Sequence, residues 1–90
     1  MATAANIIIY AQPVKAEARE VGMAWVDTSK TISFRKTVTT ADEAVEMLAE
    51  AKRSAELLGG RWVLKAISQK IEGIRRPAGL RLPALTMVGA

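Results

Sequence analysis

Cysteine and histidine are both missing from this 90-residue chain. Without cysteine there is neither a disulfide framework nor a thiolate metal site. Without histidine the chain lacks the commonest general base and the commonest transition-metal ligand, because no other side chain has an unperturbed pKa near neutrality. These two absences exclude zinc enzymes, Ser-His triads and Cys-His dyads.

Aromatic residues and long apolar runs are also scarce. The four aromatic residues are Tyr10, Trp25, Phe34 and Trp62, so the core must be mainly aliphatic side chains and alanine. The N-terminal apolar run at residues 7–9 has no basic segment before it and is shorter than the core of a signal peptide. No stretch approaches the ~18 apolar residues of a membrane span. We expect a cytoplasmic protein with no membrane partner.

The motifs of common enzymes are absent as well. Gly59 and Gly60 do not belong to a GxGxxG or GxxxxGK[ST] pattern, so no phosphate cradle is indicated. None of the serines lies in a nucleophile elbow. Neighbouring glutamates such as Glu43 and Glu46 are expected on an exposed helix face, which offers no cleft to raise the pKa of a carboxyl group. The sequence predicts no enzyme, no cofactor and no metal.

The clearest element is a helix over residues 41–58. Thr40 and Glu43 match the capping box, in which a threonine hydroxyl accepts from a first-turn N–H and the glutamate reaches back to the cap. The pair Gly59–Gly60 ends the pattern, as expected at a helix C-terminus. A stripe of apolar positions predicts packing on a sheet: Ala41, Ala44, Val45, Leu48, Ala51, Ala55 and Leu58.

Strand patterns lie on both sides of this helix. Residues 6–12 form one, which Pro13 ends as an edge strand or a turn. Residues 21–26 and 32–38 flank turn-forming residues 27–30 and predict an antiparallel hairpin, with Trp25 close to Phe34. Residues 61–67 are rich in strand formers and place Trp62, Leu64 and Ala66 on one face. Residues 14–20 fit a strand or a short helix equally well.

The predicted fold is α+β, with a small three- to four-stranded, mostly antiparallel sheet and one long helix, about 41–58, packed on one face. The expected order is β-β-β-α-β followed by a C-terminal tail. Residues 1–72 form a single domain. Residues 73–90 form a Gly/Pro-containing, apolar and basic tail, too apolar for an ordinary disordered segment, that packs on the domain or on a partner.

The charges are distributed unevenly along the chain. Residues 1–60 hold seven basic and eight acidic side chains, whereas residues 61–90 hold six basic side chains and Glu72 alone as an acid. Such an asymmetry indicates an anionic partner. We expect the partner-binding residues in this C-terminal third: Arg61, Lys65, Lys70, Arg75, Arg76, Arg81, Leu82 and Met87.

Three functions fit these features. The leading hypothesis is a non-enzymatic protein-binding module, such as a phage or mobile-element accessory protein that regulates or inhibits a host protein by occupying its surface, alone or as a homodimer. The alternative is a nucleic-acid-binding protein that uses the basic C-terminal third, although no RNP-type aromatic pattern or helix-turn-helix spacing supports it. A small structural or assembly protein is the third.

Overall fold

The computed structural model describes residues 2–15 and 26–89. Its four strands form one antiparallel sheet in the order β2-β1-β3-β4, and the helix contacts all four strands. The predicted class, a small α+β fold with one long helix on the sheet, is confirmed. In chain order the elements are β1 (Ala5–Pro13), a 3-10 turn (Thr28–Lys30), β2 (Ile32–Val38), α1 (Ala41–Leu58), β3 (Trp62–Lys70) and β4 (Leu85–Val88).

Strand β1 is central to the sheet. Ile7 and Ile9 are fully buried on the helix side, and Ile8 is buried on the opposite side. A run of β-branched residues without polar alternation is typical of a strand that is covered on both faces. The neighbours of β1 are β2 on one side and β3 on the other, each paired with it over seven residues or more.

The position of Pro13 corrects the expectation that this strand lies at an edge. Along β1, the backbone groups of successive residues point alternately to β3 and to β2. Val14 donates its N–H to the Arg61 carbonyl, on the β3 side, at 2.8 Å. The backbone of Pro13 therefore points to the β2 side. Strand β2 pairs no further along β1 than Ala11. The missing N–H of proline therefore costs no ladder hydrogen bond, and the Pro13 carbonyl accepts the N–H of Asp27 at 2.9 Å.

The observed order of strands differs from the predicted one in two places. Strand β2 pairs with β1 along its whole length, where we expected a hairpin with residues 21–26. Of that segment, the structure describes Val26, which forms a single bridge with Val14. The rest of it, including the expected contact of Trp25, and the open question at residues 16–20 lie outside the described residues. The second difference is β4, a strand within the predicted tail.

Residues 71–84 connect β3 to β4 across the helix side of the sheet. The Arg75 carbonyl accepts the N–H of Ala4 at 2.9 Å, next to β1. Pro77 is buried, and Leu80 and Leu82 pack against the core. Apolar side chains along this connection are thus used by the chain itself. The division into a domain 1–72 and a tail 73–90 stays a prediction.

Helix α1 begins and ends where the sequence predicts. Thr40 Oγ1 accepts the Glu43 N–H at 3.2 Å. The Glu43 carboxylate accepts the hydroxyl of Thr39 at 2.6 Å, one residue before the cap, and this hydrogen bond lowers the pKa of Glu43. The buried stripe is Ala44, Met47, Ala51 and Ala55. It is rotated from the predicted one, since Met47 is buried in place of Val45 and Leu58.

The C-terminal ends of α1 and β4 lie against each other. Gly89, directly after β4, has φ +93°, and a Cβ at this position would overlap the carbonyl oxygen of Gly60. Glycine is therefore required on two grounds, the left-handed backbone and the close approach. This contact fixes the end of β4 beside the end of the helix. None of the described helices is long and apolar enough to cross a membrane.

The N-cap predicts a measurable loss of stability. Thr40→Ala leaves a first-turn N–H without its acceptor and should lower the free energy of unfolding by about 1 kcal/mol in urea titration. Ser54→Ala, in the middle of the same helix, removes a hydroxyl that caps nothing and should be neutral or slightly stabilising. Equal losses for the two variants would contradict the capping role of Thr40.

The lowered pKa of Glu43 predicts a pH dependence. A carboxyl group whose pKa is lower in the folded state stabilises the protein above its unfolded pKa, and this stabilisation disappears as the pH falls through the folded pKa. The stability difference between wild type and Thr39→Val should therefore shrink on acidification, and the NMR titration of Glu43 should shift upward in the variant. An unchanged Glu43 titration would show that Thr39 does not set this pKa.

Candidate protein-binding surface

Charge is separated between the two layers of the fold. Among residues 2–15 and 26–89, no acidic side chain lies on any strand, whereas four basic ones do. Helix α1 carries five acidic and two basic residues. A positively charged sheet thus lies beneath an acidic helix. The C-terminal third contributes Lys65 and Lys70 to this sheet. The basic residues on strands are Arg35, Lys36, Lys65 and Lys70.

The face of the sheet opposite α1, here called the outer face, is assembled by strand register. Tyr10 lies opposite Lys65, which lies opposite Leu85 on β4. In the next row, Ile8 separates Arg35 from Ile67. Because alternate residues of a strand point to the same face, these side chains share one surface with Val63 and Met87. The outer face therefore combines apolar side chains with two cations.

Three large apolar side chains of this face are exposed. Ile67 is 43 %, Leu85 61 % and Met87 59 % exposed, whereas Ile8 and Val63 are buried. Ile67, Leu85 and Met87, here called the apolar patch, all lie on the β3–β4 half of the outer face. Scattered exposed apolar residues are ordinary, but a contiguous group is typical of an interaction site. The patch is the strongest candidate for a contact surface.

The predicted partner-binding residues fall on different parts of the molecule. Lys65 and Met87 lie on the outer face, on β3 and β4. Lys70, Arg75 and Arg76 line a shallow depression of about 450 Å³ beyond the end of β3, together with Gly73 and Ile74. The predicted set is therefore divided between two surfaces.

Several members of the predicted set also have structural roles. Arg76 Nη2 donates to the Ser68 carbonyl at 2.9 Å. Leu82 packs against the core, and Arg61 is half-buried, its carbonyl accepting the Val14 N–H. Arg81 is exposed on the connection between β3 and β4. Of the set, Lys65, Lys70 and Met87 combine exposure with a position on a strand.

The aromatic residues within 2–15 and 26–89 leave little surface for stacking on bases. Trp62 is buried, and its indole N–H donates to the Gly59 carbonyl at 2.8 Å, which joins the helix end to β3. Phe34 packs against the core. Tyr10 is half-buried on the outer face, between Ser33 and Lys65. Of the three aromatic residues that the structure describes, Tyr10 is therefore the one that is partly accessible on the outer face.

Sequence reasoning missed Arg35, Ile67 and Leu85 as surface residues that belong together. The signal that could have found them is the alternation along β3 and β4. Odd-numbered residues from 63 to 67 and from 85 to 87 share the outer face once residues 85–88 are recognised as a strand paired with β3. The register that adds Arg35 depends on pairing between distant segments and has no local signal.

Other kinds of site find no support in the described ranges. Residues 2–15 and 26–89 contain no group of three carboxylates that could hold a metal ion. No protein-family model, curated protein or solved structure matches the chain. The outer face is therefore the feature from which a function can be inferred.

The apolar patch should be dispensable for folding, in contrast to the core directly behind it. Ile67→Thr keeps a β-branched residue on the strand and should change the free energy of unfolding by no more than about 0.5 kcal/mol. Leu64→Ala, on the buried face of the same strand, should cost about 2 to 5 kcal/mol. A large loss for Ile67→Thr in urea titration would mean that the patch is part of the core.

Proposed function

We propose that this chain is a non-enzymatic protein-binding module that holds its partner on the outer face of the sheet. The observation that carries the proposal is the apolar patch, Ile67, Leu85 and Met87, exposed on a face without any described acidic residue. Burying such side chains in a partner supplies the favourable free energy of association. The contact surface is then centred on β3 and β4.

The charges beside the patch define the chemistry of the partner. Lys65 lies within the patch, between Tyr10 and Leu85, and Arg35 lies across the sheet from Ile67. A matching protein surface has an apolar centre with carboxylates at its rim. Electrostatic complementarity of this kind speeds encounter and selects among partners, while the buried apolar area holds the complex together.

A binding domain of this size acts by occupying a surface. The proposal includes the regulatory role expected from the sequence: a phage or mobile-element accessory protein that inhibits a host protein by covering the place where another molecule would bind. The sheet supports this role because its outer face is held by three ladders of strand pairing. A rigid face loses little conformational entropy on binding.

Nucleic-acid binding is the second candidate, and a separate surface favours it. Lys70 and Arg75 border the depression beyond β3 and are exposed. Phosphate contacts by such residues would give an affinity that falls with salt. Lys70→Glu with Arg75→Glu should then abolish a gel-retardation shift at ~50 mM salt, where phosphate contacts are strongest. An absence of binding by the wild type under these conditions removes this candidate.

Affinity capture tests the leading proposal. The wild type and the double variant Ile67→Thr, Lys65→Glu are immobilised and exposed to nuclease-treated lysate of the source organism. We expect the wild type to retain a protein in stoichiometric amount and the double variant to lose it, because the variant removes both an apolar contact and a cation. Val45→Thr is the matched control, since Val45 is an exposed apolar residue on α1.

Two results would contradict the proposal. A protein captured from a parallel untreated lysate but not from the nuclease-treated one points to nucleic acid. A protein retained equally by the wild type and the double variant, but lost with Val45→Thr, would move the binding surface to the helix.

A further inference from the structure

The two edges of the sheet differ in chemistry. Among the named strands, β2 and β4 are the outermost. Strand β2 carries Arg35 and Lys36 at its middle, and charged residues on an edge strand oppose pairing with another chain. Strand β4, Leu85–Val88, contains neither a charge nor a proline. Of the two edges, β4 is therefore the one open to an additional strand.

The backbone groups that β4 offers can be identified from its pairing with β3. Ala66 donates its N–H to the Ala84 carbonyl at 3.2 Å. Hydrogen-bonded and non-hydrogen-bonded pairs alternate along an antiparallel ladder, so Thr86 and Val88 also direct their N–H and C=O groups to β3. Leu85 and Met87 direct theirs away from it. No described strand pairs with that side of β4.

We propose that β4 pairs antiparallel with β4 of a second copy of this chain, around a two-fold axis at Thr86. In this register Leu85 lies opposite Met87 of the second copy, and Met87 lies opposite its Leu85. Each of these residues directs its N–H and C=O groups outward, so every outward-facing group of Leu85 and Met87 gains a partner. Two four-stranded sheets become one sheet of eight strands.

Neighbouring registers satisfy fewer groups. An axis at Leu85 places Met87 opposite Pro83, which has no N–H to donate. An axis at Met87 places Leu85 opposite Gly89, whose φ of +93° departs from strand geometry and whose backbone lies against Gly60. The register centred on Thr86 is the one in which both outward-facing residues of β4 pair with strand residues.

Exposed apolar side chains lie on both sides of the β4 edge. On the outer face, Leu85 and Met87 of the two copies come together as cross-strand neighbours, which favours pairing. On the helix side, Leu57 is 88 % and Leu58 60 % exposed. They end the helix next to Gly59–Gly60, and Gly60 touches Gly89 just beyond β4. These two leucines therefore lie near the C-terminal end of β4, on the helix side of the proposed ladder.

The charged β2 edge keeps this assembly closed. A two-fold pairing of β2 centred on Arg35, its middle residue, would set Arg35 of one copy directly opposite Arg35 of the other, and like charges directly opposite are destabilising. One self-complementary edge and one charged edge give a dimer with two-fold symmetry, whereas two open edges would give a filament.

This inference deepens the proposed function and rests partly on the same patch. The two-fold axis is perpendicular to the sheet, so both outer faces point in the same direction and form one surface. A partner would then meet two copies of Ile67 and Lys65. The dimer itself depends on β4, whereas the capture experiment above alters only residues of β3, so the two proposals can fail separately.

Cross-linking tests the register. The chain contains no cysteine, so a single introduced thiol reports one position. In the proposed register Thr86 lies opposite its own copy in a non-hydrogen-bonded pair, at a Cα separation of about 4.5 Å, which a disulfide can span. Under mild oxidation Thr86→Cys should form a covalent dimer. Thr37→Cys, exposed on the β2 edge, should remain monomeric under the same conditions.

A proline substitution tests the backbone pairing. Met87→Pro removes an N–H that makes no hydrogen bond to β3, so the fold should survive while the intermolecular ladder is blocked. Met87→Ala also removes the methionine side chain but keeps the backbone N–H. Light scattering from roughly 1 µM to 1 mM, the range expected for a small interface, should show a concentration-dependent dimer for wild type, a weaker one for Met87→Ala and a monomer for Met87→Pro.

Two results would overturn the inference: a wild type that stays monomeric over this range, or a Thr37→Cys cross-link that forms as readily as the Thr86→Cys one. If the wild type is monomeric and Ile67→Thr, Lys65→Glu still abolishes partner capture, the dimer is wrong and the binding face stands. If the dimer forms and no protein is captured, the self-pairing edge stands without the proposed partner.

Discussion

Strand β1 pairs with a strand on each side, and this pairing positions every other element of the fold. Three consecutive isoleucines, Ile7 to Ile9, are buried on both faces of the sheet, which requires a neighbour on each edge and cover over the helix side. The register with β2 brings Val38 opposite Ala5, three residues before the helix begins. The register with β3 determines in turn where β4 pairs. Each later element is positioned from this strand.

The same constraint separates the molecule into surfaces with different roles. Helix α1 carries five of the seven described acidic residues, and the strands carry basic ones alone among the described charges. One face of the sheet supplies the core, and the other exposes Ile67, Leu85 and Met87. The edges differ likewise, since β2 has cations at its middle and β4 is uncharged. The proposed binding face and the proposed dimer both follow from this division, and they share Leu85 and Met87.

Local chemistry is the part of the fold that could be predicted from the sequence. The helix bounds were correct because Thr40, Glu43 and Gly59 mark them with short-range hydrogen bonds and backbone preferences. The burial of Trp62 and Leu64 followed from alternation along one strand. Strand order could not be predicted, because pairing is decided between residues far apart in the chain. The four residues of β4 are too few to show a period, and this concealed the apolar patch.

Residue-resolved amide hydrogen exchange can test both the interior position of β1 and the open edge at β4. If β1 is the central strand and β4 an open edge, the amides of Ile7, Ile8 and Ile9 should exchange slowest, near the rate of global unfolding. Along β4, Thr86 and Val88 should be protected, while Leu85 and Met87 exchange fast in dilute solution and slow down as the concentration rises. Fast exchange at Ile8, or protection of Thr86 and Leu85 that is equal at every concentration, would contradict the account.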